Sequence, residues 1–168
     1  MIQQIIFLDQ TINSSIAPFR NMLANQFFIV VSFSIFILIA LSMFVYFRKK
    51  NSLVLSQILL GLATVYVISE ILKDVILRLR PDASDLFSFP SRHAALAFFM
   101  VVILPVNVRY RFALFAWALL ISFSRIWLSL HWFSDVIAGA IIGLLTAYLF
   151  KQEFIENKIK KILKHIWR

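Results

Sequence analysis

The chain has 168 residues, 61% of them hydrophobic and 15% charged, with a mean hydropathy of +0.87, which excludes an ordinary water-soluble domain and points to a protein that crosses a membrane several times. Cysteine is absent, so disulfides and thiolate metal sites are excluded. The formal net charge is +9, but the basic residues lie between apolar segments and in the tail, so the expected partner is the membrane surface and not nucleic acid.

The first twenty residues lack a basic leader, and Asp9, Asn13 and Pro18 interrupt any continuous apolar run, so no cleavable signal peptide is expected. Ile5, Ile6, Leu8, Ile12 and Ile16 recur at roughly helical spacing. They predict an amphipathic helix lying in the membrane interface and ending near Pro18. Five apolar stretches follow, at 26–47, 53–72, 92–108, 111–129 and 132–150, each near the ~20 residues a bilayer requires. The second is expected to continue as helix to about Leu79, because the residue before Pro81 disfavours helical conformation. The fourth and fifth can reverse only between Ser129 and Trp132. Gly139 and Gly143, with Ala138 and Ala140, read as a close helix-packing face. In the tail, Ile155, Ile159, Ile162 and Ile166 form an apolar stripe among lysines, followed by Trp167, which suits the surface of an anionic leaflet.

The expected fold is therefore all-α. It is an integral membrane bundle of about five transmembrane helices in one domain spanning 1–168, with an interfacial helix at 1–20, a core at 26–150 and a basic tail at 151–168. Arg48, Lys49, Lys50, Arg109, Arg111, Lys151, Lys158, Lys160, Lys161, Lys164 and Arg168 all fall on one side of it and make up eleven of the seventeen basic residues. The positive-inside rule makes that side cytoplasmic, with the N-terminus outside and the C-terminus inside.

With that topology, three polar clusters meet at the outer face. The first is Lys73, six residues, then Arg80-Pro81. The second is Pro90-Ser91-Arg92-His93. The third is Ser124-Arg125, five residues, His131, three residues, Asp135. Such residues are costly beside membrane spans unless they serve a site. His131 and Asp135 are four apart, so on a helix they share a face, and the carboxylate can accept the Nδ1 proton and leave Nε2 as a nucleophile. The same pair also fits a helix-start ion pair. Ser91 can cap the following helix, and His93 near that start can act as a general acid. Lys73 and Arg80, two helical turns apart, can join Arg125 around phosphoryl oxygens. Each cation alone equally fits snorkelling to headgroups, which is the reading given to Arg78 and Arg20. Asp82 and Asp85 read as caps or as excluders of competing anions. No spacing suits a metal ion, and no cofactor is expected.

Taken together, in this order and spacing, the clusters resemble the signature of the type 2 phosphatidic acid phosphatase superfamily: Lys-x6-Arg-Pro, Pro-Ser-Gly-His and Ser-Arg-x5-His-x3-Asp. The resemblance covers residues from about 50 to 150. It implies a metal-independent helical-bundle phosphatase with His131 as nucleophile, Asp135 as its partner and His93 as general acid. Lys73, Arg80, Ser91 and Arg125 become phosphate ligands. The usual Gly, which lets phosphate approach the backbone closely, is Arg92 here, which either hinders that approach or adds a cation beside the phosphate. The setting Phe89-Pro90-Ser91-Arg92-His93-Ala94 is similar to that of the undecaprenyl-diphosphate phosphatase group, although that group commonly carries Asp at this position. The resemblance implies a phosphorylated lipid as substrate, most readily a polyprenyl diphosphate, handled at the outer face of a bacterial inner membrane. Phosphatidylglycerophosphate, phosphatidic acid and lipid A phosphate are the alternative substrates. A non-enzymatic protein that binds anionic lipids is the alternative of a different class.

Overall fold

Three asparagines start three of the long helices. Asn21, Asn51 and Asn107 each accept a hydrogen bond on Oδ1 from a backbone N–H three residues on, at 2.9, 3.2 and 3.1 Å, which satisfies a donor that the first turn cannot. The computed structural model describes residues 2–166, and among these it contains only helices and their connections. The helices are α1 (Ile2–Ile16), a 3-10 turn (Ala17–Phe19), α2 (Met22–Arg48), α3 (Ser52–Ile76), α4 (Arg92–Ile103), α5 (Val108–Trp127), α6 (Phe133–Phe150) and α7 (Glu153–Ile166).

The five apolar stretches thus become α2 to α6, but they are not five equal spans. By length and composition α2, α3 and α6 can cross a membrane. The stretch expected at 92–108 stops as helix at Ile103, since Leu104 before Pro105 is extended (φ −69°, ψ 126°). With twelve residues, α4 is roughly 18 Å long, short of the ~30 Å hydrocarbon layer. It lies at the centre of the bundle, with Ala94 to Val101 all buried. α5 carries Arg109, Arg111 and Arg125 within its length.

α4 packs most extensively against α6. A Cβ on Gly139 would collide with the Ser91 carbonyl, and one on Gly143 with the Ala95 carbonyl. The expected Gly139–Gly143 face is therefore a site of backbone-to-backbone approach. Arg111 at the far end donates to the Val101, Val102 and Val106 carbonyls at 3.3–3.5 Å and closes the end of α4. In the tail, α7 buries Ile159 and leaves Ile162 exposed. The Ile166 side chain, Trp167 and Arg168 lie outside the described residues.

Two local expectations are corrected. α3 ends at Ile76, not near Leu79, because Leu77 turns left-handed (φ 47°) and its N–H bonds the Lys73 carbonyl. Lys73 and Arg80 therefore share no helical face, and Arg80 reaches the site from a loop. The N-terminal helix is also not only an interfacial one. Ile2, Ile5, Ile6, Phe7 and Leu8 are exposed, but Ile12 and Ile16 pack on Ala94, Ile126 and Val136.

Candidate active site

The end of α3, the start of α4, the end of α5 and the start of α6 meet at one end of the bundle, and the connection 77–91 lies over them. That connection is fixed by its backbone. The Asp82 N–H donates to the Ser129 carbonyl at 3.2 Å, and the Ser91 N–H donates to the Asp135 carbonyl at 3.0 Å. Trp132 Nε1 donates to the Leu79 carbonyl at 2.9 Å. The α5–α6 reversal, expected at Ser129–Trp132, is closed by the N–H groups of Leu130 and His131, which donate to the Arg125 carbonyl at 3.1 and 3.3 Å. Arg125 and His131 are thus held to each other through the main chain.

His131 is 4% exposed. Its Nδ1 lies 2.5 Å from the Ser88 carbonyl oxygen and 3.9 Å from Asp135 Oδ2. A backbone carbonyl can only accept, so Nδ1 carries the proton and Nε2 keeps its lone pair. The orientation expected from Asp135 is therefore supplied directly by Ser88. Asp135 acts one step away. Its Oδ2 accepts from the Ser88 hydroxyl in a very short bond and from the Trp132 N–H at 2.8 Å, while Oδ1 accepts from Arg78 Nη1 at 2.5 Å. The carboxylate fixes Ser88, and Ser88 fixes the imidazole. Burial, and then the charge of Arg125, push the His131 pKa well below its ordinary value, so the ring is neutral at pH 7.

The cations gather around this centre. His93 lies in the field of Arg125, Arg92, Lys73 and Arg80, and its ring is edge-on to Phe33 and Phe36. Arg125 donates through Nη1 to the Ser32 hydroxyl on α2 at 2.6 Å. Arg80 is held by Asp85 at 2.7 Å, so Asp85 positions a cation and does not cap a helix. Lys73 and Arg92 share one oxygen of Glu70, at 3.2 and 2.7 Å, and Arg92 also lies over the Tyr66 ring. Ser91 occupies the cap position of α4, yet its hydroxyl makes no capping bond.

Three polar atoms of the expected site are buried without any partner: Ser91 Oγ, His93 Nε2 and Arg125 Nε. Unsatisfied buried donors are rare and costly, and at a functional site they mark the place of a missing acceptor. Here the acceptor that fits is an oxyanion, since the surrounding field is positive. Among the described residues no group of three or more His, Cys, Asp or Glu is arranged to hold a metal ion.

All eight residues expected from sequence belong to this end of the bundle. The structure adds Ser88, Glu70, Arg78 and Asp9. Arg78 and Arg20 do not snorkel. Arg78 bridges Asp135 and Asp9, and Arg20 donates to the Trp127 and Ile126 carbonyls and to Asn13 at 2.6–3.3 Å. Asp9 had a readable signal, as the single acidic residue before Glu70 in a helix whose apolar stripe was expected at the membrane interface, where an unpaired carboxylate is costly. Ser88 had none, because its carbonyl is what orients the histidine.

The chain is similar to several known proteins. The pattern of the PAP2 superfamily matches residues 54–158. The chain is 31% identical to phosphatidylglycerophosphatase B of Bacillus subtilis over 142 residues, covering 74% of this chain and 68% of that protein. It is 40% identical over 76 residues to a lipid A 4'-phosphatase of Bacteroides thetaiotaomicron, covering 44% and 33%. It is 35% identical over 86 residues to an undecaprenyl-diphosphatase of Sulfolobus acidocaldarius, covering 50% and 41%. Among solved structures, LpxE from Aquifex aeolicus superposes with a TM-score of 0.72 at 25% identity, covering 86% of this chain and 93% of that one. The PAP2-type phosphatidylglycerolphosphate phosphatase from Bacillus subtilis gives 0.62 at 27% identity, covering 85% and 82%.

Proposed function

Because the chain belongs to the PAP2 superfamily, whose phosphatases hydrolyse phosphate esters, we propose that it removes the terminal phosphate of a lipid through a phosphohistidine on His131. The observation that carries this reading is the trio of partnerless buried atoms, Ser91 Oγ, His93 Nε2 and Arg125 Nε, beside an imidazole whose Nδ1 is already committed to Ser88. His131 Nε2 attacks phosphorus while the bond to the lipid oxygen breaks, and His93, which holds a proton once the bound phosphate offsets the surrounding cations, delivers it to that oxygen. Water then attacks the phosphohistidine, giving its proton to His93 and releasing inorganic phosphate, with His131 restored. Lys73, Arg80 and Arg125 stabilise the charge that develops on the equatorial oxygens. The reaction uses no metal.

For the substrate we propose a polyprenyl diphosphate, with undecaprenyl diphosphate as the physiological form, met at the outer face of a bacterial inner membrane. Arg92 supports this choice. It brings a further cation to the phosphate site, held in place by Glu70 and Tyr66, and a diphosphate carries more charge than a monoester. Phosphatidylglycerophosphate is the second reading, favoured by the 31% identity with the Bacillus subtilis phosphatidylglycerophosphatase over most of the chain.

A panel assay separates them. Phosphate release is measured in detergent with EDTA present, from farnesyl diphosphate, phosphatidylglycerophosphate and phosphatidic acid, using wild type, His131→Ala and Arg92→Gly. His131→Ala is expected to lose at least ~10²-fold in rate. Arg92→Gly is expected to lose about tenfold more in kcat/KM on the diphosphate than on the monoesters, as befits one charge-assisted contact. Near-normal turnover by His131→Ala refutes the mechanism. Equal losses for Arg92→Gly across the panel refute the substrate assignment.

A further inference from the structure

Asp9 is the one buried residue of α1 and is 2% exposed. It is remote in sequence from the three clusters, yet all its side-chain hydrogen bonds run to Arg78 and Ser134, beside Asp135. Oδ2 accepts from Arg78 Nη2 at 2.7 Å and from the Ser134 hydroxyl at 2.6 Å. Oδ1 accepts from the Ser134 N–H at 2.9 Å, so a carboxylate from another helix caps the first turn of α6. Arg78 closes the circuit, donating through Nη1 to Ser134 Oγ at 2.7 Å and to Asp135 Oδ1 at 2.5 Å. Asp135 in turn holds the Ser88 hydroxyl, and the Ser88 carbonyl holds His131.

We propose that Asp9 is a positioning residue for catalysis, acting from the N-terminal helix through Arg78 and Ser134 on Asp135, Ser88 and so His131. This rests on the reading of His131 as the nucleophile. Arg78 has two carboxylate partners, Asp9 and Asp135. With both in place its two terminal nitrogens are each held by a carboxylate, and Asp135 is pulled to one position. Without Asp9, the guanidinium of a side chain that is three-quarters buried loses one of its two anions, and the Ser134 N–H loses its acceptor. Arg78 then turns toward water or toward Asp135 alone, and the Asp135–Ser88–His131 chain loses its outer anchor. Apolar contacts of Ile12 and Ile16 and the Arg20 bonds to the end of α5 keep α1 docked independently. The fold and the geometry of the site can therefore be separated by substitution.

The test is a double-mutant cycle in kcat, with melting temperature measured in the same detergent. Asp9→Asn, Arg78→Gln and the double variant are assayed on farnesyl diphosphate beside wild type and His131→Ala. Asp9→Asn is expected to lower kcat about tenfold or more, since sub-ångström misplacement of a reacting group costs on that order, with KM within about twofold of wild type. The double variant is expected to lose clearly less than the product of the two single losses, because both act on one chain of contacts. A purely structural role predicts a lowered melting temperature with kcat of the folded fraction unchanged. Asp9→Asn within twofold of wild-type kcat, or strictly multiplicative losses, overturns the proposal. If Asp9→Asn does not fold, Ser134→Ala removes only the bridging hydroxyl. It should still lower kcat at least threefold, and no change there overturns the proposal equally. Loss of activity in His131→Ala with full activity in Asp9→Asn refutes the positioning role alone. Full activity in His131→Ala refutes the nucleophile assignment beneath it.

Discussion

Replacing Asp135 with Asn distinguishes two ways a carboxylate can serve a histidine. Were Asp135 the direct acceptor of the Nδ1 proton, the amide would favour the wrong tautomer, and losses of about 10⁴-fold are typical of that change in serine-protease triads. Here the Nδ1 proton goes to the Ser88 carbonyl at 2.5 Å, which Asn at 135 leaves untouched. What is lost is the field of a charge 3.9 Å from Nδ1, worth about 4 kcal/mol at an effective dielectric of 20. Arg78, 2.5 Å from the other oxygen, offsets roughly half of this, leaving about 2 kcal/mol, or ~30-fold in rate. Loss of the anchor on the Ser88 hydroxyl adds to it modestly, so the expected fall in kcat is ~30- to 100-fold. The assay is steady-state phosphate release from farnesyl diphosphate by purified Asp135→Asn. Rapid-quench measurement of the acid-labile phosphoenzyme confirms that the first step is the one slowed. A fall of 10⁴-fold or more means that Asp135 sets the tautomer itself, and a fall below threefold means that it does not act on His131.

Two further predictions follow from single positions. His131 belongs to the α5–α6 connection, and its folded pKa lies well below its ordinary 6.5. The unfolded chain therefore takes up the extra proton first as pH falls, and this group's contribution to stability is present above about pH 6.5 and lost below it. In ¹⁵N-histidine spectra of the solubilised protein, with His131→Gln for assignment, the His131 signal should remain that of a neutral Nδ1–H imidazole from pH 7.5 to 6. Titration near 6.5 would contradict the burial and the neighbouring charge. Gly139→Ala places a methyl group against the Ser91 carbonyl, so it should destabilise by about 1–3 kcal/mol through overpacking. It should also reduce activity beyond its effect on the folded fraction, because Ser91 is displaced with the start of α4. Thermal unfolding and active-site titration measure the two effects, and an unchanged melting temperature would show that the helices can separate freely there.

The apolar stretches were legible because a bilayer demands length and hydrophobicity, and both are written in composition. Convergence of the clusters was legible because loop charge orients the spans, so that residues up to sixty positions apart fall at one end. Helix ends were not, since Leu77 adopts φ 47° without a glycine to announce it, and the expected face shared by Lys73 and Arg80 disappeared with that turn. The direct partner of His131 was hidden for a different reason. Periodicity places side chains on faces, and Asp135 is indeed near, but the hydrogen bond goes to a main-chain carbonyl whose position depends on the 77–91 connection. Arg78 illustrates the limit of reading charges singly. Beside apolar segments snorkelling is the ordinary fate of an arginine, and here the buried carboxylates of Asp135 and Asp9, both distant in sequence, change that outcome.

The charges around His131 and His93 also bear on what the site accepts. Lys73, Arg80, Arg92 and Arg125 surround it, while Glu70 and Asp85 are the carboxylates paired with them, and Arg125 has a neutral serine. Two positive charges are left unbalanced beside membrane-spanning helices, where uncompensated charge is expensive. On the proposed reading a phosphoryl dianion would balance them, whereas a zwitterionic headgroup would not, so selection for phosphate would arise from the whole set and not from one ligand. Arg92 shifts this balance. With Gly in its place, Glu70 and Asp85 would offset two of three cations and leave a single positive charge. Arginine at 92 thus doubles the excess while Glu70 and Tyr66 hold its guanidinium at the side of the site, and on the reading proposed here that added charge is what a second phosphate would engage.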